Sequence, residues 1–185
     1  MNVAEKDRAR LIEIVAARSF RRGDFTLASG RKSSLYFNLK PTMMDPEGAH
    51  LMASLLLDRI PEGTDYVGGL EMGAVPLAAF CAAVSHIESR PVRAFFVRKQ
   101  AKGYGANALV EGLSDDESLD GKTVAMLEDV TTTGGSVIKA ANMVREAGGT
   151  VDTVITVLDR QEGAEDALKE AGLALRSVLT AKDFA

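Results

Sequence analysis

Residues 124–136 read VAMLEDVTTTGGS, and the way this stretch is read decides the fold. An apolar run from Val124 to Leu127 ends in two adjacent acids, Glu128 and Asp129. A loop of threonine and glycine from Val130 to Gly135 follows, and Ser136 opens SVIKAANMVREAGG. There Val137, Ala141, Val144 and Gly148 fall at near-helical spacing before a Gly-Gly stop. The order is therefore buried strand, loop, helix. A helix start presents unpaired N–H groups and the positive end of a dipole, which favour an anion. Glycines admit close approach of a phosphate, and threonine hydroxyls add donors. Two carboxylates beside a phosphate would repel it unless they contact something else, such as ribose hydroxyls or a metal on a diphosphate. Two readings stand on the residues alone: a turn that merely caps a helix, or a cradle for a sugar phosphate. Neither G-x-x-x-x-G-K-[ST] nor G-x-G-x-x-G is present at this loop.

Outward from this unit, strand and helix patterns alternate. DYVGGL, VRAFFVRK, KTVAMLED, VDTVITVLD and ALRSVLT read as strands; AVPLAAFCAAVSHI and AEDALKEAG read as helices. VDTVITVLD, rich in β-branched residues, suits a strand buried on both faces. Successive βα units imply an α/β fold with a mostly parallel sheet covered by helices, whose ligands bind outside the carboxyl ends of the strands. Toward the N-terminus, residues 4–19 carry a one-sided apolar face, and an extended stretch follows with turn points at Gly23 and Gly30. Asp45 and Pro46 then mark the N-cap and first position of another helix. The acidic SDDESLDG at 114–121 reads as a solvated loop or hairpin turn.

Composition bounds the rest. A chain of 185 residues fits one domain, 1–185, and its net charge of −4 argues against a general nucleic-acid binder. A lone cysteine, Cys81, lies among alanines and reads as a buried structural thiol. No apolar run reaches the roughly 18 residues a membrane span needs, and the charged N-terminus does not resemble a signal peptide, so no membrane and a cytoplasmic location are expected. His50 and His86 fall in predicted helices with packing or surface roles. A second constellation, FFVRKQAKGYGANALVEG, concentrates Arg98, Lys99 and Lys102 directly after a strand, with Gly103 and Gly105 making the segment pliable. It suits a loop that closes over a diphosphate, against the blander reading of a solvated basic turn.

VAMLEDVTTTGGS resembles the signature of type I phosphoribosyltransferases. RKQAKGYG resembles the R-K-x-x-K-x-H-G loop of the orotate phosphoribosyltransferases, with Tyr104 in place of histidine. FTLASGRKSSLYFNLK, GGLEMGAVPLA and VLDRQEGA resemble three further segments of that family, with Ala28 where many members carry lysine and Met72-Gly73 where one form has Tyr-Lys. The likeness runs from about Phe25 to Gly163.

The resemblance implies a mostly parallel central sheet flanked by helices. It also implies a small N-terminal hood made by about residues 1–45 with the C-terminal strand. It further implies transfer of the phosphoribosyl group of 5-phosphoribosyl 1-diphosphate to orotate. Arg98, Lys99, Lys102, Glu128, Asp129, Val130, Thr131, Thr132, Thr133, Gly134, Gly135 and Ser136 would bind the phosphoribosyl diphosphate. Lys102 and Asp129 would be catalytic, and Tyr36, Phe37, Thr132 and Arg160 would bind orotate. Mg²⁺ would be held mainly through the diphosphate, without a metal ligand from the chain. A homodimer sharing the basic loop across its interface is also implied. A purine phosphoribosyltransferase, a regulator that senses phosphoribosyl diphosphate and an inactive binding protein are the rival readings.

Overall fold

A computed structural model describes residues 2–26, 32–100 and 109–184. Helix α1 (Val3–Arg18) leads into an antiparallel hairpin of β1 (Phe20–Thr26) and β2 (Lys32–Phe37). After the short α2 (Lys40–Met43), α3 (Pro46–Leu57) starts where its sequence signal lies. Asp45 is in extended conformation and its carboxylate accepts the Gly48 N–H, while Pro46 needs no donor in the first turn. The chain then alternates: β3 (Tyr66–Leu70), α4 (Ala74–Ile87), β4 (Arg93–Val97), β5 (Val110–Glu111), β6 (Thr123–Thr131), α5 (Gly135–Glu146), β7 (Thr150–Asp159), α6 (Ala164–Glu170), β8 (Ala174–Thr180). A 3-10 turn over Ala181–Phe184 ends the described chain.

The central sheet has the order β5-β4-β3-β6-β7-β8 and is parallel except for β5, which runs antiparallel to β4. Side chains of successive strand residues face opposite layers, and β6 shows the consequence. Ala125 and Leu127 join the core under α1, α3 and α4, whereas Val124 and Met126 join the core under α5 and α6. The chain leaves β3 toward β4 and leaves β6 toward β7, so the order reverses between the adjacent strands β3 and β6. The helices that follow them, α4 and α5, cover opposite faces. A crevice opens at such a switch point, above the carboxyl ends of the two strands.

Three expectations change in detail. β6 does not stop at the acid pair. It continues through Thr131, because β7 offers partners for Glu128, Val130 and Thr131 in Thr156, Leu158 and Asp159. The C-terminal strand β8, expected in the hood, is the edge strand of the central sheet, parallel to β7. It is the following turn that reaches the hairpin: the Phe184 ring lies 5.4 Å from Phe20 and 5.3 Å from Phe37. The 114–121 segment is not only solvated, since Leu119 is buried in the core and Glu117 pairs with Arg93. Cys81 is fully buried, its thiol pushed up to about 12 by burial, and His50 and His86 lie exposed on α3 and α4. Among the described residues no helix is long and apolar enough to cross a membrane.

Candidate active site

Above the carboxyl ends of β3 and β6 lies a cavity of about 410 Å³ lined by Lys40, Leu70, Glu71, Met72, Gly73, Lys99, Glu128, Asp129, Val130 and Ser136. Four separate segments meet here: the chain after the hairpin, the turn after β3, the end of β4, and the β6–α5 connection. The acid pair is therefore joined by the cation Lys99, as the sequence suggests, and by Lys40 and Glu71, which it does not single out.

The two acids differ in setting because they lie on opposite faces of one strand. Glu128 is 7% exposed. Its carboxylate accepts the Ser136 hydroxyl at 3.2 Å and the Asp129 N–H at 3.3 Å. Burial, and then the Asp129 charge, raise the Glu128 carboxyl from 4.5 to about 8, so its protonated form dominates at neutral pH. Asp129 is more open; its carboxylate accepts the Val130 N–H at 2.8 Å. A Cβ at position 73 would stand 2.6 Å from one Asp129 oxygen, so Gly73 lets the β3 turn close against that acid.

Past Thr131 the loop is short. Gly134 takes φ 79°, a left-handed conformation suited to glycine, and among the described residues no side chain caps the start of α5. The positive end of this 12-residue helix is thus left to its backbone N–H groups, beside Thr132, Thr133 and Ser136. Thr131 departs from its expected role in phosphate binding. It is 2% exposed, in register with Asp159 on β7, and its buried hydroxyl has no hydrogen-bond partner among the described residues. A side chain so placed does not face the open crevice.

The basic group also divides. Lys99 reaches the cavity, but the Arg98 guanidinium is held against Glu111 at 2.7 Å and the Gln100 carbonyl at 3.2 Å, which draws it toward β5. Lys102, with Ala28, Gly103, Tyr104 and Gly105, lies outside the described residues.

At the far side, Arg160 follows β7. It is 7% exposed in its side chain, pairs with Glu162 at 2.7 Å, and donates to the Leu35 carbonyl of the hairpin at 3.4 Å. It therefore bridges the late loop and the strand that carries Tyr36. Tyr36 is 39% exposed beside Phe25, with ring centroids 5.2 Å apart. Phe37, expected with Tyr36 at the base site, is instead 8% exposed and packs on Phe20 at 5.0 Å. Strand alternation sends the two neighbours to opposite faces.

Among the described residues no group of three or more His, Cys, Asp or Glu is arranged to hold a metal ion. With Glu128 favouring its proton, this donor set fits a cation carried on a ligand's phosphate oxygens better than one caged by side chains.

Residues 43–172 match the family model for the phosphoribosyl transferase domain. The orotate phosphoribosyltransferase of Rhodopseudomonas palustris strain BisB18 is 59% identical over 178 residues, covering 96% of this chain and 95% of the relative. A crystal structure of Mycobacterium tuberculosis H37Rv orotate phosphoribosyltransferase in complex with Fe(III) dicitrate superposes with a TM-score of 0.83 at 37% identity, covering 97% of this chain and 99% of that one. The same enzyme in complex with 5-phospho-alpha-D-ribosyl 1-diphosphate gives 0.78 at 36% identity, covering 96% and 98%.

Proposed function

The chain belongs to the phosphoribosyl transferase family, and on that footing we propose that its crevice carries out an orotate phosphoribosyltransferase reaction. The phosphoribosyl group of 5-phosphoribosyl 1-diphosphate passes to orotate, giving orotidine 5-phosphate and diphosphate in pyrimidine biosynthesis. The protein is thereby a pentosyltransferase. The observation that carries this reading is the convergence, in one cavity, of the acid pair with Lys99 beside a helix start that no side chain among the described residues caps.

As the bond from ribose carbon 1 to the diphosphate breaks, positive charge develops on the sugar, and the protein's task is positioning and charge stabilisation. Asp129 and Glu128 hold the ribose hydroxyls. The N–H groups opening α5, with Thr132, Thr133, Gly134, Gly135 and Ser136, hold the 5-phosphate. Lys99 faces the diphosphate, and Lys102 donates to it as it departs. Mg²⁺ bound through the diphosphate supplies neutralisation of that charge. Arg160 receives the orotate carboxylate, because a planar guanidinium matches it in a bidentate manner, and Tyr36 lies along the base. We propose further that the enzyme works in the cytoplasm as a homodimer whose basic loop serves the partner's site.

The experiment is loss of orotate absorbance with phosphoribosyl diphosphate and Mg²⁺, each omitted in turn, with adenine and hypoxanthine as competing acceptors. Orotate consumption that needs both other components is expected, and consumption of a purine instead refutes the base assignment. Lys102→Ala should lower turnover far more than it weakens phosphoribosyl diphosphate binding. Unchanged turnover removes its catalytic role.

A further inference from the structure

Glu71 is at first sight misplaced, since an acid lining the cavity of a polyanionic ligand repels it. Its hydrogen bonds explain the position. The Glu71 N–H donates to the Val97 carbonyl at 2.8 Å, continuing the β3–β4 pairing beyond the strand ends. One Glu71 carboxylate oxygen accepts the Lys99 N–H at 2.8 Å, satisfying a donor that the end of β4 would otherwise leave to solvent. Two residues on, Gly73 closes against the Asp129 carboxylate. The turn 71–73 thus sets the distance between the acid pair on β6 and the point where the basic segment leaves β4.

We propose that Glu71 is a positioning residue for phosphoribosyl diphosphate, acting through the Lys99 backbone; this rests on the transferase reading above. Its acceptor oxygen is what matters, and its charge opposes binding. The test is equilibrium binding of phosphoribosyl diphosphate in Mg²⁺ buffer by calorimetry, on wild type, Glu71→Ala and Glu71→Gln, with melting curves for all three. Removing a hydrogen bond to a charged acceptor should weaken binding by roughly tenfold in Glu71→Ala. The amide oxygen of Glu71→Gln accepts the same N–H without the charge and should restore binding to wild-type strength or better, with melting lowered by no more than about 5 °C in Glu71→Ala and unchanged in Glu71→Gln. Wild-type affinity in Glu71→Ala overturns the proposal, and so does a Glu71→Gln as impaired as Glu71→Ala. Because no base is present, a wild type that binds the sugar diphosphate but does not consume orotate refutes the orotate assignment and leaves this result standing.

Discussion

Replacing Glu128 with glutamine should change how stability depends on pH, and the direction follows from the burial of that carboxyl. In the folded protein it titrates near 8, and in the unfolded chain near 4.5. Between those values the native state binds the extra proton, so stability contributed by this group is fully present below 4.5 and is lost as pH rises through 8. At about 1.4 kcal/mol per pKa unit, the upper bound is roughly 5 kcal/mol. The effective dielectric of a protein site is well above that of a dry interior, which reduces this to about 1–3 kcal/mol. Glutamine keeps the size and cannot ionise. Urea unfolding of the ligand-free proteins from pH 5 to 9 should therefore give similar stabilities near pH 5, an advantage for Glu128→Gln that grows from there to about pH 8, and a constant difference above it. For a chain of this size that advantage corresponds to about 2–4 °C of melting temperature per kcal/mol. Two curves that stay parallel across the range would refute the assignment of a raised carboxyl to Glu128.

Gly73→Ala should lower phosphoribosyl transfer at least tenfold with a small loss of stability, because the new Cβ would stand 2.6 Å from an Asp129 oxygen and displace that acid; steady-state rates beside a melting curve decide it. Thr131→Val should leave turnover unchanged and stability equal or up to about 1 kcal/mol higher, since the buried hydroxyl it removes has no partner among the described residues; denaturant unfolding reads this. Phe37→Ala should cost about 3–5 kcal/mol of stability by opening a gap between Phe20 and Phe184. Tyr36→Ala should instead raise the KM for orotate with stability nearly intact, and a reversed pattern would contradict the facing of the two rings.

The parts of this fold that the sequence made legible are those whose pattern is local. The apolar run of β6, the spacing of α5, and the Asp45-Pro46 start of α3 each carry their own signal, and each element stands where that signal lies. The limits of the reading came from contacts between distant segments. β6 runs on to Thr131 only because β7 pairs with it there, which buries a threonine that the motif alone assigns to the phosphate. Lys40 and Glu71 carry no motif of their own, and they become site residues when the order of strands brings the turn after β3 beside β6. Phe37 could have been separated from Tyr36 by alternation, but which face of the hairpin lies inward depends on Phe20 and on Phe184 at the opposite end of the chain. Arg98 is similar: its distance from the cavity follows from Glu111 on β5, a two-residue strand too short to show in periodicity.

On the proposed function, the acid pair at the end of β6 serves phosphoribosyl transfer and is not merely a feature of a strand end. Orotate consumption by Asp129→Asn, measured beside wild type at saturating phosphoribosyl diphosphate and Mg²⁺, tests it most directly. A loss of turnover on the order of 10²–10³-fold, with the melting temperature unchanged, is the expected result. Near-normal turnover in a folded Asp129→Asn protein would contradict it.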